Sequence, residues 1–243
     1  GPYPLIVFSQ GFDLSPLSYS GLLSGWASAG FVVAAPTYPD TDPSDPAALD
    51  ENDIVNHPTD LRFALSSLLT SAEQPHSVLS GLINPDEVGI AGHSDGGDVS
   101  LAVAQNSCCR DPSVKAIVVL SGAELAAFGG IYFSVSPIPI FVVQGSADTV
   151  NVPACSAQIY DGAISPKYYL DLLGAAHEPP YIESGTDEQI VARTTTEFFD
   201  AQLKGERRAA AFLQVDGTVE GVSQLTTAST APPAPGSCPG APG

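Results

Sequence analysis

The sequence predicts an α/β fold: a mainly parallel sheet of about six strands with helices on both faces. Three observations predict it. Short, continuously apolar, β-branched runs alternate with stretches of helical spacing, as in right-handed strand–helix–strand crossovers over a sheet buried on both sides. One of those runs ends in Gly92-His93-Ser94-Asp95-Gly96, a G-x-S-x-G pentapeptide between a strand and a helix. The chain of 243 residues is 44% hydrophobic, enough for one domain with a sizeable core.

Taken in order, Pro4-Leu5-Ile6-Val7-Phe8-Ser9 is a buried strand and Gln10-Gly11-Phe12-Asp13 a turn. Residues 16–29 carry apolar side chains at helical spacing, and Gly30 ends that helix. Phe31-Val32-Val33-Ala34-Ala35 is a second strand. Residues 36–53, rich in Pro and Asp and without periodicity, read as a loop. His57-Pro58-Thr59-Asp60 opens a helix to about Ser71, with Leu61, Leu65, Leu68 and Leu69 on one face. Asn84-Pro85-Asp86 reads as a turn, and residues 88–91 as the third strand. The helix behind Ser94 ends near Asn106. Strands follow at 114–120, 138–143 and 167–173, and helices at 153–160 and 186–203. Residues 121–137 form a small-residue excursion, and 209–225 hold room for one more short strand or hairpin. One domain is expected over residues 1–225, then a Pro/Gly-rich tail, 226–243, with little to pack beyond a pin at Cys238. No stretch is long enough for a lid domain, so the site should be open and shallow.

The formal net charge is −19, with 8 Lys and Arg against 27 Asp and Glu. Such a surface repels phosphate backbones and anionic lipid, which argues against nucleic-acid and membrane partners and against strongly anionic substrates. No apolar run reaches the ~20 residues of a membrane span. Met is absent, as expected of a chain processed from a longer precursor. Asp40, Asp42, Asp45, Asp50, Glu51 and Asp53 lack the spacing of a Ca²⁺ loop and read as a solvated acidic loop. A monomer needing no cofactor or metal is expected.

The four cysteines, Cys108, Cys109, Cys155 and Cys238, contain no Cys-x-x-Cys pair, which disfavours zinc. Their even number and the scarcity of Lys suggest disulfides and a secreted protein. Cys108 and Cys109 end the helix behind Ser94, roughly 20 Å from the catalytic rim at ~1.5 Å per residue. Cys155 lies near that rim, outside the reach of a direct bridge. Cys238 should therefore bridge one of the others, with a vicinal Cys108–Cys109 bond if it takes Cys155.

A strand that turns sharply into a helix exposes the residue at its tip, provided the residues two before and two after are small. Ser94 occupies that tip between Gly92 and Gly96 and is the candidate nucleophile. In a parallel sheet, chemistry gathers at the strand carboxyl ends. Asp148 follows the fifth strand and His177 the sixth, in the chain order Ser, Asp, His. His177 is the candidate base and Asp148 its orienting acid; Asp161 and Asp171 are weaker alternatives. His57 and His76 read as solvated or capping, and His93 as a buttress of the turn. The backbone N–H groups of Phe12 and Asp95 are the candidate oxyanion donors, with the Asp95 side chain turned towards residues 10–13 or solvent. A histidine base must be neutral, so activity should be highest at neutral to alkaline pH.

These residues resemble the α/β-hydrolase superfamily, and within it a secreted branch of bacterial cutinases, polyester (poly(ethylene terephthalate)) hydrolases, chlorophyllases and dienelactone-hydrolase-like esterases. Residues 4–12 are similar to the branch's strand and oxyanion loop, with Gln10 where His or Pro is usual. Residues 92–97 resemble its elbow, with Asp95 where polyester hydrolases carry Met. Asp148 and His177 match its acid and base, and the likeness spans residues 4–203. The resemblance implies an α/β-hydrolase fold and a serine carboxylesterase acting on ester or polyester through an acyl-enzyme. The alternatives are dienelactone-hydrolase-like or peptidase activity, or a non-catalytic binding protein. Two departures stand out. The family's two antiparallel strands before the first strand are missing, and Ser121-Gly122-Ala123-Glu124 stands where polyester hydrolases place a Trp. Substrate contacts are expected from Phe12, Glu124, Phe128 and Tyr132, the aromatic ones being core residues in the alternative reading. Short-chain and aliphatic esters should then be preferred.

Overall fold

Alternation along the strands decides which layer each side chain serves. In the computed structural model, which describes residues 1–242, Leu5 and Val7 of the first strand enter one apolar cluster while Ile6 and Phe8 enter the other. The strands are β1 (Tyr3–Ser9), β2 (Val32–Ala34), β3 (Ile83–His93), β4 (Val114–Leu120), β5 (Ile140–Gly145), β6 (Lys167–Leu172) and β7 (Ser223–Thr226). They form a 7-stranded sheet in the order β2-β1-β3-β4-β5-β6-β7. All neighbours are parallel except β7, which runs antiparallel to β6. This is the α/β-hydrolase architecture, with both outer strands short, which limits edge pairing.

Helices α2 (His57–Glu73), α3 (Asp95–Gln105) and α4 (Pro153–Gly162) cover one face of the sheet. Helices α1 (Ser20–Ser28), α5 (Pro179–Ile182), α6 (Thr186–Gln202) and α7 (Ala209–Asp216) cover the other. Pro at the start of α4 costs nothing, because the first N–H groups of a helix lack intrahelical acceptors. Trp26, fully buried in α1, donates its Nε1–H to Thr195 Oγ1 of α6 at 2.9 Å and meets Phe199 edge-on at 5.7 Å. That contact fixes α1 on α6.

The structure departs from the sequence reading at several points. Strand β3 starts at Ile83, and the Asn84-Pro85-Asp86 turn lies inside it as a bulge. The register passes from Tyr3↔Ile83 to Leu5↔Val88, and Asn84 Oδ1 accepts the Asp86 N–H at 3.1 Å. Residues 209–225 give helix α7 before β7, since the Ala-rich run favours a helix and Leu213 finds the core. His57 is buried, not solvated. It stacks on Tyr38 at 4.1 Å beside Asp53, and burial lowers its pKa against the opposing pull of Asp53. In the acidic loop Asp42, Asp45 and Asp50 accept backbone N–H groups two residues on, so these carboxylates shape the loop, and Asp42 is itself buried. The cysteines pair as Cys108–Cys109 and Cys155–Cys238.

Trp26→Phe keeps an aromatic ring but removes the donor to Thr195 and leaves unfilled volume. We expect a loss of about 2–3 kcal/mol, read as a lower denaturant midpoint at unchanged slope.

Candidate active site

Strand β3 enters its turn at His93, and Ser94 sits at the apex with φ 54° and ψ −126°. A non-glycine residue held there costs on the order of 1–3 kcal/mol, so its surroundings must enforce it. They do so by close passage of backbone. A Cβ on Gly92 would run into the backbone of Gly96, and one on Gly96 into the carbonyl oxygens of Ser9 and Gln10. The Ser94 N–H donates to Leu120 O at 3.0 Å, and Ser94 O accepts from Gly97 N–H at 2.7 Å, tying the apex to β4 and to α3.

The carboxyl ends of β1, β3, β5 and β6 share one rim. Across it, the Ser94 hydroxyl faces His177 Nε2 at 2.8 Å, and His177 Nδ1 faces Asp148 Oδ2 at 2.7 Å. Asp148 Oδ1 accepts the Val150 N–H at 2.8 Å, and Oδ2 also accepts from Gln144 Nε2 at 3.2 Å. Ser156 of α4 in turn donates to Gln144 Oε1 at 2.6 Å. Burial alone would raise the Asp148 pKa, but the hydrogen bond and charge of His177, with the Val150 N–H, outweigh it and hold the carboxyl below its ordinary value. The acid is therefore ionised at neutral pH.

Beside the apex runs the Gln10-Gly11-Phe12 loop. A Cβ on Gly11 would lie 3.2 Å from both Ser94 Cβ and His93 Nδ1, so any side chain there would push on the elbow. Among the described residues neither the Phe12 nor the Asp95 N–H donates to a protein acceptor.

Between that loop and the base lies a buried relay. The Gly11 N–H donates to the Tyr19 hydroxyl at 3.1 Å, and the hydroxyl meets His93 Nδ1 at 2.8 Å. His93 Nε2 meets the backbone oxygen of His177 at 3.0 Å. A carbonyl only accepts, so Nε2 carries the proton and Nδ1 accepts from Tyr19. Burial, then the neighbouring His177, lowers the His93 pKa to about 3, so this ring is neutral at working pH.

A cavity of about 580 Å³ opens beside the apex, lined by Glu51, Asp95, Asp98 and Asn151 and by the apolar Ala123, Leu125, Ala127 and Pro239. Asp95 is one of the lining residues, and among the described residues its Oδ2 is buried without a hydrogen-bond partner. Burial first, and Glu51 second, push its pKa up to about 6. Asp98 is buried with its carboxylate on the Ala123 N–H, and burial raises it well above the ordinary range.

None of the four residues expected to touch substrate is among those lining this cavity. Tyr132 belongs to the core, its hydroxyl bonded to the backbone of Leu125 at 3.0 Å, and Phe128 packs on the same cluster. Glu124 is buried and hydrogen-bonds Gln158, so burial raises its pKa against that bond. Phe12 is half-buried beside the elbow. The 121–132 segment does supply wall, but through the small and aliphatic Ala123, Leu125 and Ala127.

The chlorophyllase family model matches residues 1–123, half of the chain, and includes the oxyanion loop and the elbow. The chain belongs to the chlorophyllase family. No curated protein sequence matches it. The family lies in the α/β-hydrolase superfamily, and this chlorophyllase-family chain is a hydrolase of the ester-cleaving kind. Asp148 and His177 fall outside the matched residues, so their meeting with Ser94 rests on the geometry alone.

Three groups of this chlorophyllase-family site were not expected from the sequence. Tyr19 gives no signal beyond a polar tip on a helical face. Gln144 stands at a strand end four residues before the acid, which is the one hint of its contact. The 238–240 segment reached the cavity because of a disulfide whose partner the spacing left open.

Two measurements probe this arrangement. Tyr19→Phe leaves the ring but breaks the relay at both of its hydrogen bonds. We expect kcat to fall on the order of 10-fold through misplacement, with KM and the folded state little changed. Asp95→Asn tests the buried carboxylate. With a folded-state pKa raised from 3.8 to about 6, the folded parent binds more protons than the unfolded chain between those values. Its stability therefore falls as pH rises through that window. Asn cannot ionise, so the Tm of Asp95→Asn relative to the parent should rise from about pH 4 and level off just above the folded-state pKa of about 6.

Proposed function

We propose that the protein is a serine carboxylic-ester hydrolase with Ser94 as nucleophile, His177 as general base and acid, and Asp148 as the group that orients and stabilises the imidazolium. One observation carries the reading: the unbroken hydrogen-bonded line from Ser94 Oγ through His177 to an ionised Asp148, 2.8 Å and 2.7 Å long, at the apex of a strained turn. In the proposed reaction Ser94 Oγ attacks the ester carbonyl while its proton passes to His177 Nε2. The oxyanion accepts the N–H groups of Phe12 and Asp95. Collapse expels the alkoxide, which takes the proton from His177, and leaves an acyl group on Ser94. Water, deprotonated by His177, attacks that acyl group; the second tetrahedral intermediate releases the acid and restores the Ser94 hydroxyl.

Neutral esters suit a cavity lined by carboxylates and aliphatic carbon, whereas an anionic substrate would be repelled by Glu51, Asp95 and Asp98. A serine rather than a cysteine nucleophile supports esterase over dienelactone-hydrolase chemistry. Two disulfides support an extracellular working place, where such bonds persist. Among the described residues no helix is long and apolar enough to cross a membrane. We further propose a monomer whose single domain ends near residue 225, with 226–243 as its appendage; Gly243 lies outside the described residues.

Ser94→Ala should lower kcat by about 10³-fold or more while the fold stays intact. A fluorophosphonate should label Ser94 alone in the parent. Short p-nitrophenyl esters, aliphatic and aromatic polyester films and chlorophyll belong in one panel, with short aliphatic esters expected to be cleaved fastest. A label on another serine, or peptide cleavage without ester cleavage, contradicts the proposal.

A further inference from the structure

The segment after β7, Ala-Pro-rich and expected to pack little, lies along the body of the protein. Tyr160 of α4 donates its hydroxyl to Ala228 O at 2.7 Å, and the Ala231 N–H donates to Asp161 Oδ1 at 2.6 Å, with Ala231 packed on the core. Beyond Ala231 the chain is largely exposed until Cys238, which is bonded to Cys155 in the first turn of α4. Gly240 O then accepts the Ala126 N–H at 3.1 Å, and Pro239, between these two attachments, lines the cavity beside Ser94. Across the cavity stand Asp95 and Asn151, the neighbours of the nucleophile and of the acid loop. One wall of the site is thus contributed by a strap from the far end of the chain.

Two attachments hold that wall, and they are unequal. A lone exposed hydrogen bond contributes less than the conformational entropy of the residues between Ala231 and Gly240 that it would have to keep in order. The disulfide keeps Pro239 in place by covalent constraint.

We propose that Pro239 is a specificity-determining wall of the ester-binding cavity and that the Cys155–Cys238 bond holds it there. The inference rests on the Ser94 reading of the site. With the bond closed, the cavity ends at Pro239 and takes a short arm of the ester. A dithiol opens the bond by thiolate attack and exchange. The cystine gains two electrons and two protons to give two thiols, and the dithiol becomes a cyclic disulfide. The strap then leaves, the cavity extends along the 121–127 segment, and longer arms are admitted.

The test compares kcat/KM for p-nitrophenyl esters from acetate to laurate, and for acetate esters of alcohols of rising length, in the parent, in Cys238→Ser and in Pro239→Trp. Cys238→Ser should raise the long-to-short ratio in one series by about 10-fold. Dithiothreitol should do the same to the parent. Pro239→Trp, which keeps the disulfide, should lower that ratio. A Cys108→Ser/Cys109→Ser variant excludes the vicinal bond as the source: its profile should match the parent and still respond to dithiothreitol. Unchanged ratios in Cys238→Ser and Pro239→Trp, in a parent that hydrolyses acetate and is labelled at Ser94, overturn the strap and leave the esterase reading standing. A parent that is neither labelled nor active overturns both. If Cys238→Ser does not fold, Pro239→Trp and the reduced parent decide alone.

Discussion

Everything at this site depends on one steric constraint: the backbone of Gly96 is wedged between that of Gly92 and the carbonyls of Ser9 and Gln10, so that neither glycine can carry a side chain. The crossing forces the chain to reverse at Ser94, and the reversal holds Ser94 at φ 54°. Such a conformation persists only where the flanking elements over-determine it. Here β3 lies inside the sheet between β1 and β4, and α3 is almost wholly buried behind it. The apolar burial of two elements therefore sustains one strained residue, and the strain presents a hydroxyl above the rim. The same crossing starts α3 at Asp95, whose N–H has no protein acceptor among the described residues, so the exposed hydroxyl and a free donor come from one backbone event.

Polar groups behind the apex obey a second rule, that buried donors and acceptors must be matched. His93 does this as a neutral ring, accepting from Tyr19 and donating to His177 O. Protonation would turn both nitrogens into donors and leave Tyr19 without its acceptor, which agrees with a pKa lowered to about 3 by burial. Asp148 is matched the opposite way, surrounded by donors and held ionised. Asp95 is the exception. Its Oδ2 has no partner and its pKa rises to about 6, so a proton replaces the missing donor on the acid side of neutrality.

Legibility from the sequence followed the range of the forces involved. The buried strands of a parallel sheet are runs of Val, Ile and Leu, so β1, β4 and β6 were readable to within a residue or two, as was the elbow, whose glycine spacing is a local steric demand. Asn84-Pro85-Asp86 misled because turn chemistry also makes a bulge, and only pairing with β1 separates the two. His57 reads from the sequence as solvated or capping because nothing local announces the ring of Tyr38, distant in sequence, that covers it. Tyr132 and Phe128 read equally as cavity wall or core; the hydroxyl bond to Leu125 decides for the core at Tyr132, and Phe128 packs partly buried against the same cluster. The tail looked unable to pack, since Pro and Gly show no periodicity, yet Cys155, Tyr160 and Asp161 fix it from one helix.

The two halves of the chain meet through backbone as well as side chains. Residues 1–123 hold Ser94 and the Gln10-Gly11-Phe12 loop, whereas Asp148 and His177 follow β5 and β6. In the order β3-β4-β5-β6, the loop bearing His177 starts three strands away from Ser94, or roughly 14 Å at the usual strand spacing. A side chain alone does not span that distance, so the loop itself must lean back over β5. Gly145 lets it do so, since a Cβ there would crowd the carbonyl oxygens of Ala175 and Ala176, and the Ala147 N–H donates to Ala175 O at 3.0 Å. The far end of the reach is held by His93, whose Nε2–H takes the backbone oxygen of His177 itself. The residue before Ser94 thus sets the position of His177 through the main chain of His177. His177 then needs only its two ring nitrogens for Ser94 and Asp148, and neither is spent on holding the loop.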